Sequence, residues 1–489
     1  MSSVTNTADQ RSSVLTSEDW WSLFLGMTIF VLSLGAVAGV DVLGFVTKTE
    51  VWTSPTEAVR PISPAFVSLP KLVSLLGTFV LLLALTGVGA HYLGLGLKRF
   101  VLGFTVIFWA SYLCWFAGHW APIAATPDKL SKFGLSWSMN LTGEAGFVLA
   151  LLLGLAVGNL FPGVTQALTE ATRPEWFIKT AIVVMGGALG VKAAQATGLT
   201  SAILFLGCCA IVVAYLIFWA LVYYIARRFF GFSREWAAPL ASGVSICGVS
   251  AAIATGAAIR ARPVVPIMVS SLVVVFAVVE LLVLPFLAQH FLYTEPLVSG
   301  AWMGLAVKTD GAAVASGAIT DALVRAKAQA VQGIVYRDGW ILMTATTTKM
   351  FIDVFIGIWA FVLAAIWCTK IDRSSGQRVG WGTIWERFPK FVLGYALTFI
   401  LLLVAVLGWP EVGKTAKLST DEASSIRVLF FAMTFFSIGL VSNFRKLWQE
   451  GIGKLAAVYL ISLFGFIIWI GLLISWIFFH GVTPPLASP

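Results

Sequence analysis

The chain has 489 residues, of which 59% are hydrophobic and only 11% are charged. Soluble globular proteins carry roughly 25% charged and about 45–50% apolar residues, so this composition excludes an ordinary soluble protein. The formal net charge is +9. Because Lys and Arg collect in the cytoplasmic loops of membrane proteins, we attribute the charge to loops beside a lipid bilayer and expect no nucleic-acid partner.

Apolar runs long enough to cross a membrane recur along the whole chain. A membrane-spanning helix needs about 20 mainly apolar residues, and backbone polar groups must be paired inside lipid, so each run predicts a helix. The expected fold class is an all-α polytopic membrane protein. The thirteen predicted spans are 20–46, 68–94, 99–120, 143–161, 176–191, 200–226, 236–259, 264–289, 297–319, 339–369, 389–409, 425–442 and 453–479.

The polar stretches between these runs predict loops rather than soluble domains. The loops are 47–67, 121–142, 320–338, 370–388 and 410–424, and stretch 320–338 has the composition of a short extramembrane helix. The segments that begin at Phe147 and Phe391 each open a group of three spans. The groups lie seven spans apart, and an odd offset inverts the second copy, as in inverted-repeat transporters. Chance similarity between Leu-rich helices is the alternative explanation.

One span is packed with small and hydroxylated residues between Ala241 and Gly256. Small residues allow close helix packing, which is one explanation of the pattern. The other is a discontinuous helix, in which Gly243 and Gly248 permit unwinding at mid-depth. The Ser245 and Ser250 hydroxyls and the freed backbone N–H groups would then face an anion, with help from a half-helix dipole. Composition alone leaves both explanations open.

Two further segments place charges inside predicted spans. Lys308 and Asp310 lie in the segment from Gly304 to Gly317, which the flanking apolar residues favour as a second broken helix over a loop. Intramembrane charges are costly and usually face a cavity or one another. Lys349 and Asp353 are spaced i, i+4 on one predicted helix face, where they can form a structural ion pair. Alternatively, Lys349 neutralises a bound anion.

Isolated carboxylates within spans are candidates for carrying a coupling ion. Glu280 lies deep in an apolar run, whereas Glu144 is close enough to a span end to be interfacial. The motifs of common hydrolases, metalloproteases and nucleotide-binding enzymes are missing, and the chain has only four His. The five Cys show no metal-ligand or disulfide spacing. We therefore expect no enzymatic activity, no cofactor and no metal site.

The segment Ser245-Ile-Cys-Gly248 resembles the S-I-C-G-x-S-A signature of a family of proposed sulfate exporters, the YeiH family. Thr346-Thr-Thr-Lys349 looks like that family's T-V-K-L segment, and Ser437-Ile-Gly-Leu-Val-Ser-Asn-Phe444 is similar to its G-L-S-T-N-F end. The resemblance covers about residues 143–479, a predicted core of about ten spans. Residues 1–125, with about three spans, look like an addition.

The resemblance implies an inverted-repeat transporter fold with discontinuous helices, similar to cation–proton antiporter and bile-acid symporter folds. It also implies a bacterial inner membrane location and a panel of helices that can form a homodimer. One departure matters, because the family commonly has G-x-x-I-H-[DE]-x-x-Q in the second broken segment. Here Lys308 replaces the His, Thr309 the acid and Ala312 the Gln, so the substrate or coupling ion can differ in this member.

The sequence therefore favours a secondary transporter, as an exporter of a small inorganic anion such as sulfate or a related sulfur oxyanion. The expected substrate-binding residues are Ser245, Cys247, Gly248, Ser250, Lys308, Thr309, Asp310 and Lys349, with Glu280 and Asp353 as candidates for binding a coupling ion. The alternative is a cation–proton antiporter that uses an intramembrane carboxylate. Neighbouring lysines argue against it, because they would oppose a bound cation.

Overall fold

A computed structural model provides the fold of the chain. It describes residues 14–125, 129–139, 143, 145–194, 197–259, 261–262, 264–367, 390–442 and 453–487. The described chain divides into two compact units. Unit 1 contains Met1–Thr197 and Lys390–Val441, and unit 2 contains Gly198–Pro389 and Ser442–Pro489.

Unit 1 is a helical bundle with a small antiparallel hairpin. Its helices are α1 (Glu18–Ser33), α2 (Lys71–Tyr92), α3 (Leu97–Gly118), α4 (Ala145–Leu160), α5 (Pro162–Leu168), α6 (Pro174–Ala194), α14 (Lys390–Gly408) and α15 (Gly413–Val441). Strand β1 (Thr47–Thr49) pairs with β2 (Val59–Pro61) between α1 and α2. Helices α4 and α5 are bent by 112° relative to each other.

Glycines allow the central helices of unit 1 to pack backbone against backbone. A Cβ atom on Gly154 of α4 would overlap the Phe436 carbonyl oxygen of α15. In the same way, a Cβ atom on Gly186 of α6 would overlap the Tyr395 carbonyl oxygen of α14. Lipid tails are as apolar as the helix surfaces, so burial of apolar side chains does not drive helices together in a membrane. Close van der Waals contacts of this kind stabilise the helix pairs instead.

Unit 2 contains two helices that are interrupted and then resume. Its elements are α7 (Thr197–Arg228), α8 (Arg234–Ser245), α9 (Val249–Ala258), α10 (Val264–Phe291), α11 (Pro296–Ala306), α12 (Asp310–Gln332), α13 (Trp340–Ile366), α16 (Gly453–Ser462) and α17 (Ile468–Phe479). A π-helical turn, Leu463–Ile467, joins α16 to α17. The first interruption separates α8 from α9, and the second separates α11 from α12.

Large apolar side chains are exposed along several helices of both units. Leu102 of α3 is 70% exposed, Phe205 of α7 is 69% exposed and Ile477 of α17 is 65% exposed. Such extended apolar faces suit contact with lipid tails rather than water. Eight helices in the described residues are long and apolar enough to cross a membrane, or nine if the bent α4–α5 pair counts as one span. The all-α, polytopic membrane character predicted from the sequence is confirmed.

Several predicted boundaries are wrong. The first span was expected to reach residue 46, but α1 ends at Ser33 and a 3-10 turn extends it only to Ala36, before Gly39 adopts a φ of +81°. The stretch 410–424 was expected to be a loop, but α15 already begins at Gly413. Buried Ser419 on this early turn bonds to Ser33 at 3.1 Å, which explains why polar residues are helical here.

The stretch 320–338 does not hold a separate helix. Helix α12 continues through it to Gln332 and ends at Gly333, whose φ of +68° is favourable for glycine. The inverted repeat stays a prediction. The division into residues 1–125 and 143–479 also stays a prediction. The compact units of the structure divide the chain differently, because α1–α3 belong to the same unit as α6, α14 and α15.

We expect Gly186→Ala to destabilise the protein by about 1–3 kcal/mol, because the new methyl group overlaps the α14 backbone. Gly87→Ala in α2 is the matched control, since a Cβ atom there meets nothing within 4 Å. Alanine stabilises an exposed helix position by roughly 0.5–1 kcal/mol relative to glycine. Thermal unfolding in detergent should therefore show a lower melting temperature for Gly186→Ala and no loss for Gly87→Ala. Equal melting temperatures would contradict the packing described here.

Candidate functional site

The first interruption follows from the conformations of Ile246 and Gly248. Helix α8 ends at Ser245, and Ile246 has φ −107° and ψ −100°, outside the helical region. Gly248 has a φ of +67°, which glycine adopts readily and other residues do not. A Cβ atom there would lie 2.5 Å from Val273 Cγ1 of α10 and 3.0 Å from the Lys308 carbonyl oxygen. Gly248 thus lets the two interruptions touch.

The second interruption lies at Val307–Thr309. Val307 is extended, with φ −80° and ψ 126°, and Thr309 is the N-cap of α12. The Thr309 hydroxyl oxygen accepts a hydrogen bond from the Ala312 N–H at 3.2 Å. Capping side chains of this kind satisfy one of the unpaired N–H groups at a helix start. Both discontinuous helices expected from the sequence are therefore present.

The Lys349 ammonium group of α13 connects the two interruptions. Its Nζ donates to the Ile246 carbonyl oxygen at 2.9 Å, and to the carbonyl oxygens of Val307 and Lys308 at 3.4 and 3.3 Å. These carbonyls belong to the C-terminal ends of α8 and α11, where the helix dipole is negative. Carbonyl oxygens at the negative ends of two helices therefore help to hold this buried ammonium.

Lys308 is also fully buried, but its ammonium group is much less satisfied. Among the described residues, only the Leu305 carbonyl oxygen accepts a hydrogen bond from Nζ, at 2.5 Å. The face of the Phe218 ring lies 4.9 Å from Nζ, measured to the ring centroid. Since an ammonium group has three N–H donors, two of them have no described acceptor. This positive group is suited to receive an acceptor from outside the protein.

Glu280 of α10 contacts the second interruption through the backbone. Its Oε2 accepts the Lys308 N–H at 2.8 Å, and its Oε1 accepts the Tyr459 hydroxyl at 3.4 Å. Glu280 and Tyr459 are both fully buried, and the Tyr459 ring stacks on Phe276. The carboxylate thus takes the N–H that the interrupted helix cannot satisfy, while the Lys308 ammonium points elsewhere.

Two serine hydroxyls near the first interruption differ in their hydrogen bonding. The Ser242 hydroxyl bonds to Thr255 Oγ1 at 2.7 Å and to Trp219 Nε1 at 3.0 Å. Ser245 Oγ, three residues further along, is buried and has no hydrogen-bond partner in the described part of the chain. A buried hydroxyl left in this way is costly unless something else satisfies it.

The structure brings together Lys308, Lys349 and Glu280 with the Ser245–Gly248 segment. Cys247 is buried within the first interruption. The side chains of Ser250, Asp310 and Asp353 lie outside the described residues, as does Glu144. The pairing of Lys349 with Asp353 consequently stays a prediction.

Sequence reasoning missed the aromatic residues that line this site. Phe218 and Trp219 come from α7, and Tyr459 comes from α16, which are remote in sequence from both interruptions. Phe218 carries no sequence signal, because the chain contains 36 Phe in apolar runs. Tyr459 offered a weak signal as the lone hydroxyl-bearing ring in the last span.

A separate cavity of about 410 Å³ lies within unit 1. It is bounded by the β1 hairpin, the end of α3 and the polar early turns of α15, and its lining includes Lys48, His119 and Asp421. None of these three residues was predicted from the sequence to have a functional role. The cavity belongs to a different unit from the helix interruptions, so the candidate site is confined to unit 2.

Substituting each of the two buried lysines in turn should show which one stabilises the fold and which one is available to bind a ligand. Lys349→Met leaves three carbonyl oxygens without this donor, so we expect a loss of about 3 kcal/mol or more. Lys308→Met removes a buried charge whose side chain makes one described hydrogen bond, so the stability of the protein should change little or rise. Thermal unfolding followed by tryptophan fluorescence measures both. Equal destabilisation by the two substitutions would show that Lys308 is also structural.

Comparison with known proteins identifies relatives along nearly the whole chain. A family model described as Conserved hypothetical protein 698 matches residues 130–458. The UPF0324 membrane protein NE0724 of Nitrosomonas europaea is 42% identical over 479 residues, which cover 97% of this chain and 98% of that protein. No solved structure matches the chain.

Other relatives match shorter parts of the chain. An uncharacterized protein of Archaeoglobus fulgidus is 49% identical over 164 residues, covering 29% of this chain and 88% of its own length. A UPF0324 membrane protein of Nitratidesulfovibrio vulgaris is 28% identical over 431 residues, covering 86% of this chain and 66% of that protein. The chain belongs to the Conserved hypothetical protein 698 family of UPF0324 membrane proteins.

Proposed function

We propose that the chain is a secondary transporter of a small anion that binds between the two helix interruptions of unit 2. The observation that carries this proposal is the Lys308 ammonium group, which is fully buried and has one described acceptor. A lysine at the centre of a spanning helix costs roughly 2.5–3.5 kcal/mol to insert. A buried ammonium that is held at this cost, with two N–H donors lacking a described acceptor, supports a role in binding an anion.

The surrounding backbone supports an anion rather than a cation. Helices α9 and α12 both begin at the interruptions, so the positive ends of two helix dipoles lie beside the site. Half-helix N-termini are a recurrent way to hold anionic groups within membrane transporters. Lys349 occupies the negative ends of α8 and α11, so their carbonyls are not available to coordinate a cation. Ser245 adds a buried hydroxyl without a described partner.

Sulfate or a related sulfur oxyanion is the narrower proposal. It rests on the resemblance at Ser245–Gly248, and the Lys308 departure leaves the identity of the anion as a matter for experiment. Export is favourable on energetic grounds, because a dianion that leaves through 100 mV gains about 4.6 kcal/mol alone and about 2.3 kcal/mol with one proton. A bacterial inner membrane location and a homodimer are part of the same proposal.

The test is flux of radiolabelled anions into proteoliposomes that contain the purified chain. We expect the wild type to move at least one of labelled sulfate, sulfite or thiosulfate faster than protein-free liposomes do. Lys308→Met should reduce this flux at least tenfold, since the main counter-charge is lost. Lys454→Gln is the matched control, because this lysine is exposed on α16 of the same unit and its substitution should leave flux unchanged.

Two results would overturn the proposal. Absence of flux with all three labelled anions would contradict transport of a sulfur oxyanion. Sodium-driven pH changes that disappear in Asp310→Asn would instead support the cation–proton antiporter, because that activity depends on a carboxylate and not on Lys308.

A further inference from the structure

Glu280 stands beside the proposed anion site without being neutralised by an ion pair. In the described part of unit 2, its two carboxylate oxygens accept the Lys308 backbone N–H and the Tyr459 hydroxyl. The Lys308 ammonium turns away toward the Leu305 carbonyl oxygen and the Phe218 ring. The Glu280 carboxyl group and an incompletely paired ammonium thus occupy one fully buried site.

We infer that Glu280 takes up a proton when an anion binds at Lys308, so that the chain carries one proton with each anion. This inference rests on the proposed anion transport and names the coupling ion for the same site. An anion on the Lys308 ammonium brings a second negative charge to the buried space beside Glu280, and buried like charges cannot both persist cheaply.

The charges around Glu280 favour this exchange over other ways of balancing the anion. The Lys349 ammonium is already held by carbonyl oxygens of both interruptions, so its hydrogen bonds are not free to follow the substrate. Tyr459 donates its hydroxyl hydrogen to Glu280 and has no negative charge to release. Among the described side chains that face Glu280, these two and Lys308 are the titratable groups, which leaves the carboxylate itself as the proton acceptor.

The proton balance is simple. A proton from water adds to Glu280 Oε1, which forms an O–H bond, while Oε2 remains a carbonyl-type acceptor for the Lys308 N–H. When the anion leaves, Glu280 becomes again the nearest negative charge to the ammonium and returns its proton to water. For a monoanion the buried charge is then the same in the loaded and empty states, and for a dianion the proton halves the negative charge that loading adds. By thermodynamic reciprocity, a proton on Glu280 must also strengthen anion binding.

The experiment uses proteoliposomes at zero membrane potential, with whichever of labelled sulfate, sulfite or thiosulfate the wild type moves. With one proton per anion, an external pH one unit below the internal pH should accumulate the label about tenfold at equilibrium. Glu280→Gln mimics the protonated side chain, so it should still exchange label across the membrane but accumulate none. Glu235→Gln is the control, since this carboxylate pairs with Arg262 at the exposed start of α8 and should leave accumulation intact.

A second measurement does not depend on transport by the variant. When the same anion is added to the purified wild type in weakly buffered detergent, the protein should take up about one proton per chain, measured with a pH indicator. Glu280→Gln should take up none. If the wild type moves label independently of the pH difference, the coupling is contradicted while anion transport stands. If Glu280→Gln still accumulates label, Glu280 is not the carrier. If the wild type moves no label at all, the proposed function itself fails.

Discussion

The Lys349 ammonium group holds together the two places where unit 2 departs from regular helix. It donates to the Ile246 carbonyl oxygen of one interruption and to the Val307 and Lys308 carbonyl oxygens of the other. Hydrogen bonds to a charged group are worth about 1.5–3 kcal/mol each, and inside lipid the carbonyls would otherwise be unpaired. Gly248, whose missing side chain lets Val273 and the Lys308 carbonyl approach, makes this arrangement sterically feasible. The geometry of the proposed binding site depends on both.

The role that we propose for Lys308 depends on the contacts of Lys349. Because Lys349 satisfies the carbonyl ends of α8 and α11, Lys308 is left as a buried cation with a single described acceptor. The starts of α9 and α12, with their positive dipole ends, and a Ser245 hydroxyl without a described partner belong to the same two interruptions. Glu280 accepts a hydrogen bond from the Lys308 backbone N–H. This division between one structural and one available ammonium is what an exchangeable anion requires.

The sequence predicted the helices of this site better than their contacts. Mid-span charges and glycines indicated both interruptions, because charge and backbone flexibility inside lipid have few structural explanations. Helix ends were less predictable, as α15 shows: its early polar turns are helical because tertiary packing buries Ser419 against Ser33. The roles of Lys308 and Lys349 could not be separated beforehand, since both are single lysines in apolar spans. Their difference depends on which carbonyls the fold brings near each, and Phe218 and Tyr459 come from distant helices.

The most direct measurement is a crystal structure of the wild type and of Lys308→Met grown with selenate, whose selenium can be located by anomalous scattering. The account predicts an anomalous peak in the wild type with selenate oxygens about 3 Å from Lys308 Nζ, a charge-assisted hydrogen-bond distance. The peak should disappear in Lys308→Met, while the two interruptions and the Lys349 contacts remain. Selenate bound elsewhere in the wild type, or an undiminished peak at this position in Lys308→Met, would contradict the claim that the Lys308 ammonium binds the transported anion.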